Sequence, residues 1–384
     1  MTNATNFILA NARIVLADAM IERGFVAVVD GRIAEIGDGA SPGRGEDLDG
    51  DLLIPGLVEL HTDHLEAHYV PRPKVHWDPI AAVIAYDGQL ATSGITTVLD
   101  SVRIWREAGV QEVDGQHDVL ADAIAAARDA DLLRADHFLH LRCEVPMPEV
   151  VEDTEKMVGG RDVRLISLMD HTPGQRQFRD EAKLRTYYRG KKGGLSDPEL
   201  DELFELRRRY QRDHADVNRR GLVELAGRHG IPLASHDDTI AEHVAEAIAD
   251  KVAIAEFPTT AEAAAALHAG GVKVLMGAPN LVRGGSHSGN VATADLAAAG
   301  VLDVMSSDYV PASLLMAALR LPEAVPSFDL PAAVRTVTRT PAHAVGLTDR
   351  GEIKVGQRAD LVRVFRRAGA STARAVWRAG RRVA

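Results

Sequence analysis

The chain has 384 residues, a net charge of −11, 46% hydrophobic and 26% charged residues, and one cysteine, Cys143. That is enough apolar content for a large core, as one barrel or two domains. The acidic balance argues against a nucleic-acid binder, and a lone cysteine rules out an intrachain disulfide or a cysteine-cluster metal site. No run of about 18 apolar residues is present, so no membrane span is expected. The single cysteine suits a reducing cytoplasm, and the first twenty residues do not read as the basic and apolar regions of a secretory leader.

Residues 6–52 read as short strands with tight turns, and Asp30-Gly31 between Val29 and Arg32 is a two-residue hairpin signal. The apolar run Leu52–Leu60 fits one buried parallel strand. Beyond it the pattern alternates. A helix is expected over Asp78–Ala91, a strand over Gly94–Val102, a helix over Asp118–Asp131 and strands over Asp136–Glu144 and Val163–His171. Ser196-Asp-Pro-Glu199 has the form of a capping box opening a long helix to His229. Strand Ile231–His236, helix Thr239–Asp250, strand Val252–Glu256, helix Ala261–Ala269, strand Lys273–Met276, strand Val301–Asp308 and helix Pro311–Arg320 complete the series. The C-terminus returns to hairpin strands, Gly351–Val362 and Ala375–Gly380. About eight βα units imply a (β/α)8 TIM barrel in the α/β class. A doubly wound sheet would call for a Gly-x-Gly-x-x-Gly turn, and none follows any strand. Residues 1–52 and 350–384 are expected to pair into a small β-sandwich domain, with the barrel spanning 53–349.

Barrel active sites lie at the carboxyl ends of the strands. Those ends carry His61 and Asp63, Asp100, Glu144, Asp170 and His171, His236 with Asp237 and Asp238, Glu256, Asn280 and Asp308. His61 and Asp63 are two apart, so both face one side of a strand. So many carboxylates in one mouth would repel one another without cations between them, and a binuclear metal centre resolves the conflict. Imidazole with carboxylate suits zinc, with manganese or iron as alternatives. Plainer roles compete at single positions: His171 before Thr-Pro-Gly could shape a turn, and Glu256 before Phe-Pro-Thr-Thr could cap a helix. His137, His140, His243 and His268 lie inside elements and read as packing or surface residues. Asp308, at the last strand, is the candidate for binding a metal and taking the proton from its water.

Ile54-Pro-Gly-Leu-Val-Glu-Leu-His-x-Asp63 and Gly351-x-Ile-x-x-Gly-x-x-Ala-Asp-Leu361 resemble the signatures of the amidohydrolase superfamily. Three departures stand out: His-x-Asp replaces the usual His-x-His, Asp170-His171 stands where a bridging lysine is usual, and Glu256 replaces a histidine after strand six. A closer resemblance covers nearly the whole chain. His61-Thr-Asp-His-Leu-Glu66, Leu139-His-Leu-Arg-Cys-Glu144, Ser167-Leu-Met-Asp-His-Thr-Pro-Gly-Gln-Arg-Gln-Phe178, Ser235-His-Asp-Asp238, Met276-Gly-Ala-Pro-Asn-Leu-Val-Arg-Gly-Gly-Ser-His-Ser-Gly-Asn290 and Ser306-Ser-Asp-Tyr309 are similar to the phosphonate-metabolism amidohydrolases of the carbon–phosphorus lyase pathway. That resemblance implies hydrolysis of α-D-ribose 1-methylphosphonate 5-triphosphate to the 5-phosphate and diphosphate. With it come two divalent ions on His61, Asp63, Glu144, His171, His236 and Asp308, with Glu144 as bridging carboxylate. A deaminase or cyclic-amide hydrolase on the same barrel is the alternative, and a metal-free assembly barrel a further one.

A phosphate substrate also has support in the residues. Arg176, Arg179, Lys183, Arg185, Arg189, Lys191 and Lys192 crowd one segment of an acidic chain. Such cations can clamp phosphoryl oxygens, although a solvated helix face would have the same composition. Arg283, Ser286, His287 and Ser288 lie in a glycine-rich stretch whose amides suit phosphate oxygens. Arg142, Arg176, Lys191, Lys192, Glu256, Asn280, Arg283, Ser286, His287 and Ser288 are therefore the expected substrate contacts. The expected partner is a small ribosyl triphosphate, with no nucleic acid, no membrane and a homodimeric assembly.

Overall fold

The computed structural model describes residues 6–106, 115–176, 181–182, 184–186, 196–286 and 289–384. It divides into two compact units, residues 1–100, 122–138 and 276–384 in one and 101–121 with 139–275 in the other. Lys191, Lys192, His287 and Ser288 lie outside the described residues.

In the first unit both ends of the chain build one eight-stranded sheet. Strand β1 (Phe7–Val15) pairs antiparallel with β2 (Met20–Val29), which pairs with β3 (Arg32–Asp38), while the short β4 (Glu46–Asp47) lies parallel to β1. Strand β5 (Leu52–Pro55) lies parallel to β1 and antiparallel to a C-terminal strand, Leu361–Arg367. The expected hairpin is present: Asp30 and Gly31 both have positive φ, 51° and 74°, as a type I′ turn requires. Leu9, Ile14, Val26, Ile33, Leu53, Leu361 and Trp377 form a core drawn from both ends.

Two segments differ from what their residues imply. The run Leu52–Leu60 is not one strand: it breaks at Gly56 into β5 and β6 (Leu57–Thr62), the first strand of a different sheet. A Cβ at Gly56 would sit 2.2 Å from Thr96 Oγ1, so only glycine lets the chain cross between sheets here. Gly351–Asp360 is turns rather than strand, because Gly351 and Gly356 both take φ of 89° and interrupt any pleat.

Eight strands form the second sheet: β6, β7 (Ile95–Ile104), β8 (Asp136–Glu144), β9 (Val163–Met169), β10 (Leu233–His236), β11 (Ile254–Glu256), β12 (Lys273–Gly277) and β13 (Val304–Ser306), paired in chain order. The pairings are parallel wherever a register is resolved. Thr62 bridges Asp308 in parallel, which sets the first strand beside the chain two residues past the last. This is the arrangement of a (β/α)8 barrel. Among the described residues, helices stand between successive strands: α1 (Leu65–Tyr69) and α2 (Pro79–Thr92), α3 (His117–Asp129), α4 (Val150–Gly160), α5 (Asp197–His229), α6 (Ala241–Ala249), α7 (Ala261–Ala269), then α8 (Ala278–Arg283) and α9 (Thr293–Ala298). Strand β13 leads into α10 (Ser313–Ala324), α11 (Leu330–Arg335) and α12 (Arg339–Ala344). The Ser196 amide donates to Glu199 Oε2 at 2.7 Å, so the capping box opens α5 as its sequence implies. No helix among the described residues is long and apolar enough to cross a membrane.

Candidate metal centre

In the first unit, β6 ends by delivering His61, which is buried, with the half-buried Asp63 just past the strand. Their support is Glu59, two residues earlier on the same face and fully buried. Its carboxylate accepts hydrogen bonds from the His61 amide (2.7 Å) and the Ser307 amide (2.6 Å), and the Ser306 hydroxyl lies 2.5 Å from it. Burial nonetheless pushes the Glu59 carboxyl up, against those bonds. Glu59 thus ties β6 to the end of β13, and Asp308 follows in the left-handed conformation, φ 53°. His64 and His68, one helical turn apart, both meet Gln89 Oε1, at 3.1 and 3.0 Å.

Asp100, the carboxylate ending the second strand, is committed elsewhere. His137 Nδ1 is 2.8 Å from it, while His137 Nε2 is 3.3 Å from Asp87. Burial works against a charged His137, but the Asp100 and Asp87 carboxylates outweigh it and raise its pKa to about 9. His137 is a buried ion-pair partner, not a packing residue.

In the second unit, β8 alternates His140, Arg142 and Glu144 along one buried face. Glu144 Oε1 takes His171 Nδ1 in a short contact, and its Oε2 accepts the His171 amide at 3.2 Å. Burial opposes the Glu144 charge, but His171 and its hydrogen bonds override it and hold the carboxyl at about 2. At the end of β10, His236 Nδ1 lies 3.2 Å from Glu256 Oε2, which also accepts the Ser167 hydroxyl at 2.6 Å. His140 Nε2 is 3.7 Å from Glu256 Oε1. Each of these two histidines therefore backs its Nδ1 onto a buried carboxylate, the arrangement by which a carboxylate orients a metal-binding imidazole.

Both Nε2 atoms face the same oxygen. Asp237 Oδ2 lies 3.4 Å from His236 Nε2 and 3.9 Å from His171 Nε2. Donor atoms of the three residues fall within 4.8 Å of one another. Asp237 is 4% exposed, and its Oδ2 has no hydrogen-bond partner. Burial raises its carboxyl well above the usual range. A divalent cation fits this donor set, because it would neutralise a carboxylate that the surrounding protein does not satisfy.

Arg176 is buried and donates to Asp238 Oδ1 at 2.6 Å and to the His236 carbonyl at 2.9 Å, so it braces the strand end. Arg185 pairs with Glu181 and Asp201, which is how a solvated helix face behaves. Asn280 holds the loop beyond α8: its Oδ1 accepts from the Thr293 amide at 3.0 Å and its Nδ2 donates to the Val291 carbonyl at 3.2 Å. Arg283 is exposed and Ser286 half-buried. Arg142 is buried beneath Glu144, and its positive charge acts on Asp237. Sequence reasoning passed over His140, although it shares the face of Glu144 at a spacing of four, and gave Asp237 no part in the ligand set. Three of the twelve described non-glycine residues with positive φ lie just past barrel strands. Asp237 (φ 56°), Phe257 (φ 55°) and Asp308 (φ 53°), each one or two residues past a strand, are left-handed without being glycine. Such strain persists where the surroundings enforce it, commonly at functional sites.

A model of the amidohydrolase family matches residues 80–384. The alpha-D-ribose 1-methylphosphonate 5-triphosphate diphosphatase of Escherichia coli (strain K12) is 44% identical over 378 residues, which cover 98% of this chain and 100% of that protein. Among solved structures, N-acetyl-D-glucosamine-6-phosphate deacetylase from Mycobacterium smegmatis superposes with a TM-score of 0.64 at 16% identity, covering 99% of each chain. N-isopropylammelide isopropylaminohydrolase from Burkholderia multivorans gives 0.62 at 20% identity over 98% of each. At those identities the two structures speak to the fold alone.

Proposed function

The chain belongs to the amidohydrolase family, and from that premise we propose that it hydrolyses α-D-ribose 1-methylphosphonate 5-triphosphate to the 5-phosphate and diphosphate. The observation that carries this reading is the 44% identity, end to end, with a diphosphatase of that name. The site chemistry agrees. Ligand-type side chains end the strands of both units: His61, Asp63 and Asp308 in the first; Glu144, His171 and His236 in the second. These are our proposed ligands for two divalent ions, with zinc the first to test and manganese or iron next. Bound there, the ions would supply positive charge to the phosphate oxygens and Lewis acidity toward the attacking water.

The chain's own residues supply the rest. Water attacks the α-phosphorus, the bond from that phosphorus to the oxygen bridging the β-phosphorus breaks, and the departing diphosphate takes the electron pair. Asp308, held beside β6 by its bridge to Thr62, accepts the proton of the attacking water. Arg142, Arg283 and the basic segment that includes Lys191 and Lys192 are the proposed cations for the phosphate oxygens. Ser286, His287 and Ser288 are proposed as further contacts, with Glu256 and Arg176 holding the strand ends in place. A cytoplasmic, homodimeric enzyme completes the proposal.

Hydrolysis in ¹⁸O-labelled water tests the route. Label in the ribosyl monophosphate fits attack on the α-phosphorus. Label found only in the diphosphate places attack on the β-phosphorus and refutes this route.

A further inference from the structure

We propose that Asp237 is itself a metal ligand, completing a three-residue site with His171 Nε2 and His236 Nε2, while Glu144 and Glu256 stand behind the two histidines and orient them. The proposal rests on the reading of the protein as a metal-dependent hydrolase and sharpens it, because it moves Glu144 out of the ligand shell and brings Asp237 in.

The geometry points this way from two sides. Both Glu144 oxygens are engaged with His171, one on the ring and one on the amide. Glu256 Oε2 is engaged with His236 Nδ1 and Ser167. Carboxylates bonded to the Nδ1 of a metal-binding histidine raise its basicity and fix its ring, and they need not touch the ion. Asp237 is in the opposite position. Its Oδ2 is buried, has no hydrogen-bond donor, and is the atom toward which both Nε2 atoms turn. Asp238, next in the chain, is not equivalent: Arg176 and Ser235 satisfy it. The left-handed φ at Asp237 turns consecutive carboxylates to different partners, one to the cation of Arg176 and one to the histidines.

A buried carboxylate without a partner destabilises the protein that carries it unless a cation arrives. The ligand role therefore makes a signed prediction free of any activity assay. Stripped of metal, the Asp237→Asn variant melts at or above the wild-type temperature. On adding zinc, the wild type gains stability as binding to the folded state requires, and the variant gains much less. Metal analysis should find two ions per wild-type chain and one in Asp237→Asn, whereas Glu144→Gln keeps both and binds one of them about 10–100-fold more weakly. Anomalous scattering from wild-type crystals gives an independent reading that no folding defect can obscure: an ion about 2.0–2.2 Å from an Asp237 carboxylate oxygen supports the assignment. An ion on His171 and His236 with the Asp237 carboxylate beyond about 3 Å overturns it, as does an Asp237→Asn variant that keeps both ions at wild-type affinity. Wild-type protein that binds no ion at all would remove the metal-dependent reading, and this assignment with it.

Discussion

Asp308 and His137 show how differently two buried or half-buried titratable residues serve one molecule. Asp308 is half-buried in a left-handed turn that few residues adopt without cause. As proton acceptor it should be replaceable without unfolding the protein. Asp308→Asn is expected to keep the wild-type far-UV circular dichroism and lose on the order of 10²-fold or more in kcat; an unchanged kcat would remove the proton-accepting role. His137 is wholly buried between two carboxylates, and its pKa rises from 6.5 to about 9. A pKa raised by folding adds stability that is full below about pH 6.5 and is lost as pH climbs through about 9. Wild-type Tm should therefore decline between those two values. His137→Gln, which leaves Asp100 without the imidazolium and Asp87 with Arg134 as its cation, should be about 3 kcal/mol or more less stable at pH 6 and show a flatter dependence above it. Equal slopes in the two proteins would contradict the assignment. At this scale the sequence is legible where period and position coincide. His61 and Asp63 are two apart at a strand end, and the structure brings them there. His140 lies inside a strand, and period two from Glu144 places it on the same face. Asp237 could not be chosen from His236-Asp237-Asp238, because the backbone turn at residue 237 decides which carboxylate goes where.

Elements were read well where local chemistry is strong. The Asp30-Gly31 turn, the Ser196 capping box and the strand Asp136–Glu144 all stand where the residues imply. The split at Gly56 was invisible, since Pro and Gly within an apolar run do not say which sheet each half joins. Tertiary contact with Thr96 supplies the missing information. Gly56→Ala should cost about 1–3 kcal/mol through overpacking, and Thr96→Ala should restore part of it, a coupling that a double-mutant cycle of thermal unfolding reads directly. Additive effects would mean that the close approach does not matter. Helix α4 carries no such local signal either. Its sequence opens Val150-Val151 and ends Gly159-Gly160, weak helix formers at both ends. Its stability comes from burial of Val150, Thr154 and Met157, which propensity does not register.

For the whole molecule, the alternation of strand and helix carried the barrel, and the resemblance of motifs carried the chemistry. The single eight-stranded sheet built from both ends was only partly visible, because pairing between residues some three hundred positions apart leaves no local mark: β5 to Leu361–Arg367 is such a pair. On this reading the barrel is a triphosphate hydrolase and not an amidase or deaminase. The most direct measurement is ³¹P NMR of the purified, metal-loaded protein with α-D-ribose 1-methylphosphonate 5-triphosphate, run beside a panel of cyclic amides and amino-substituted heterocycles. Diphosphate and ribosyl 5-phosphate resonances should grow in equal amounts, with the panel untouched. Release of orthophosphate alone, or an inert triphosphate beside a hydrolysed amide, would contradict it.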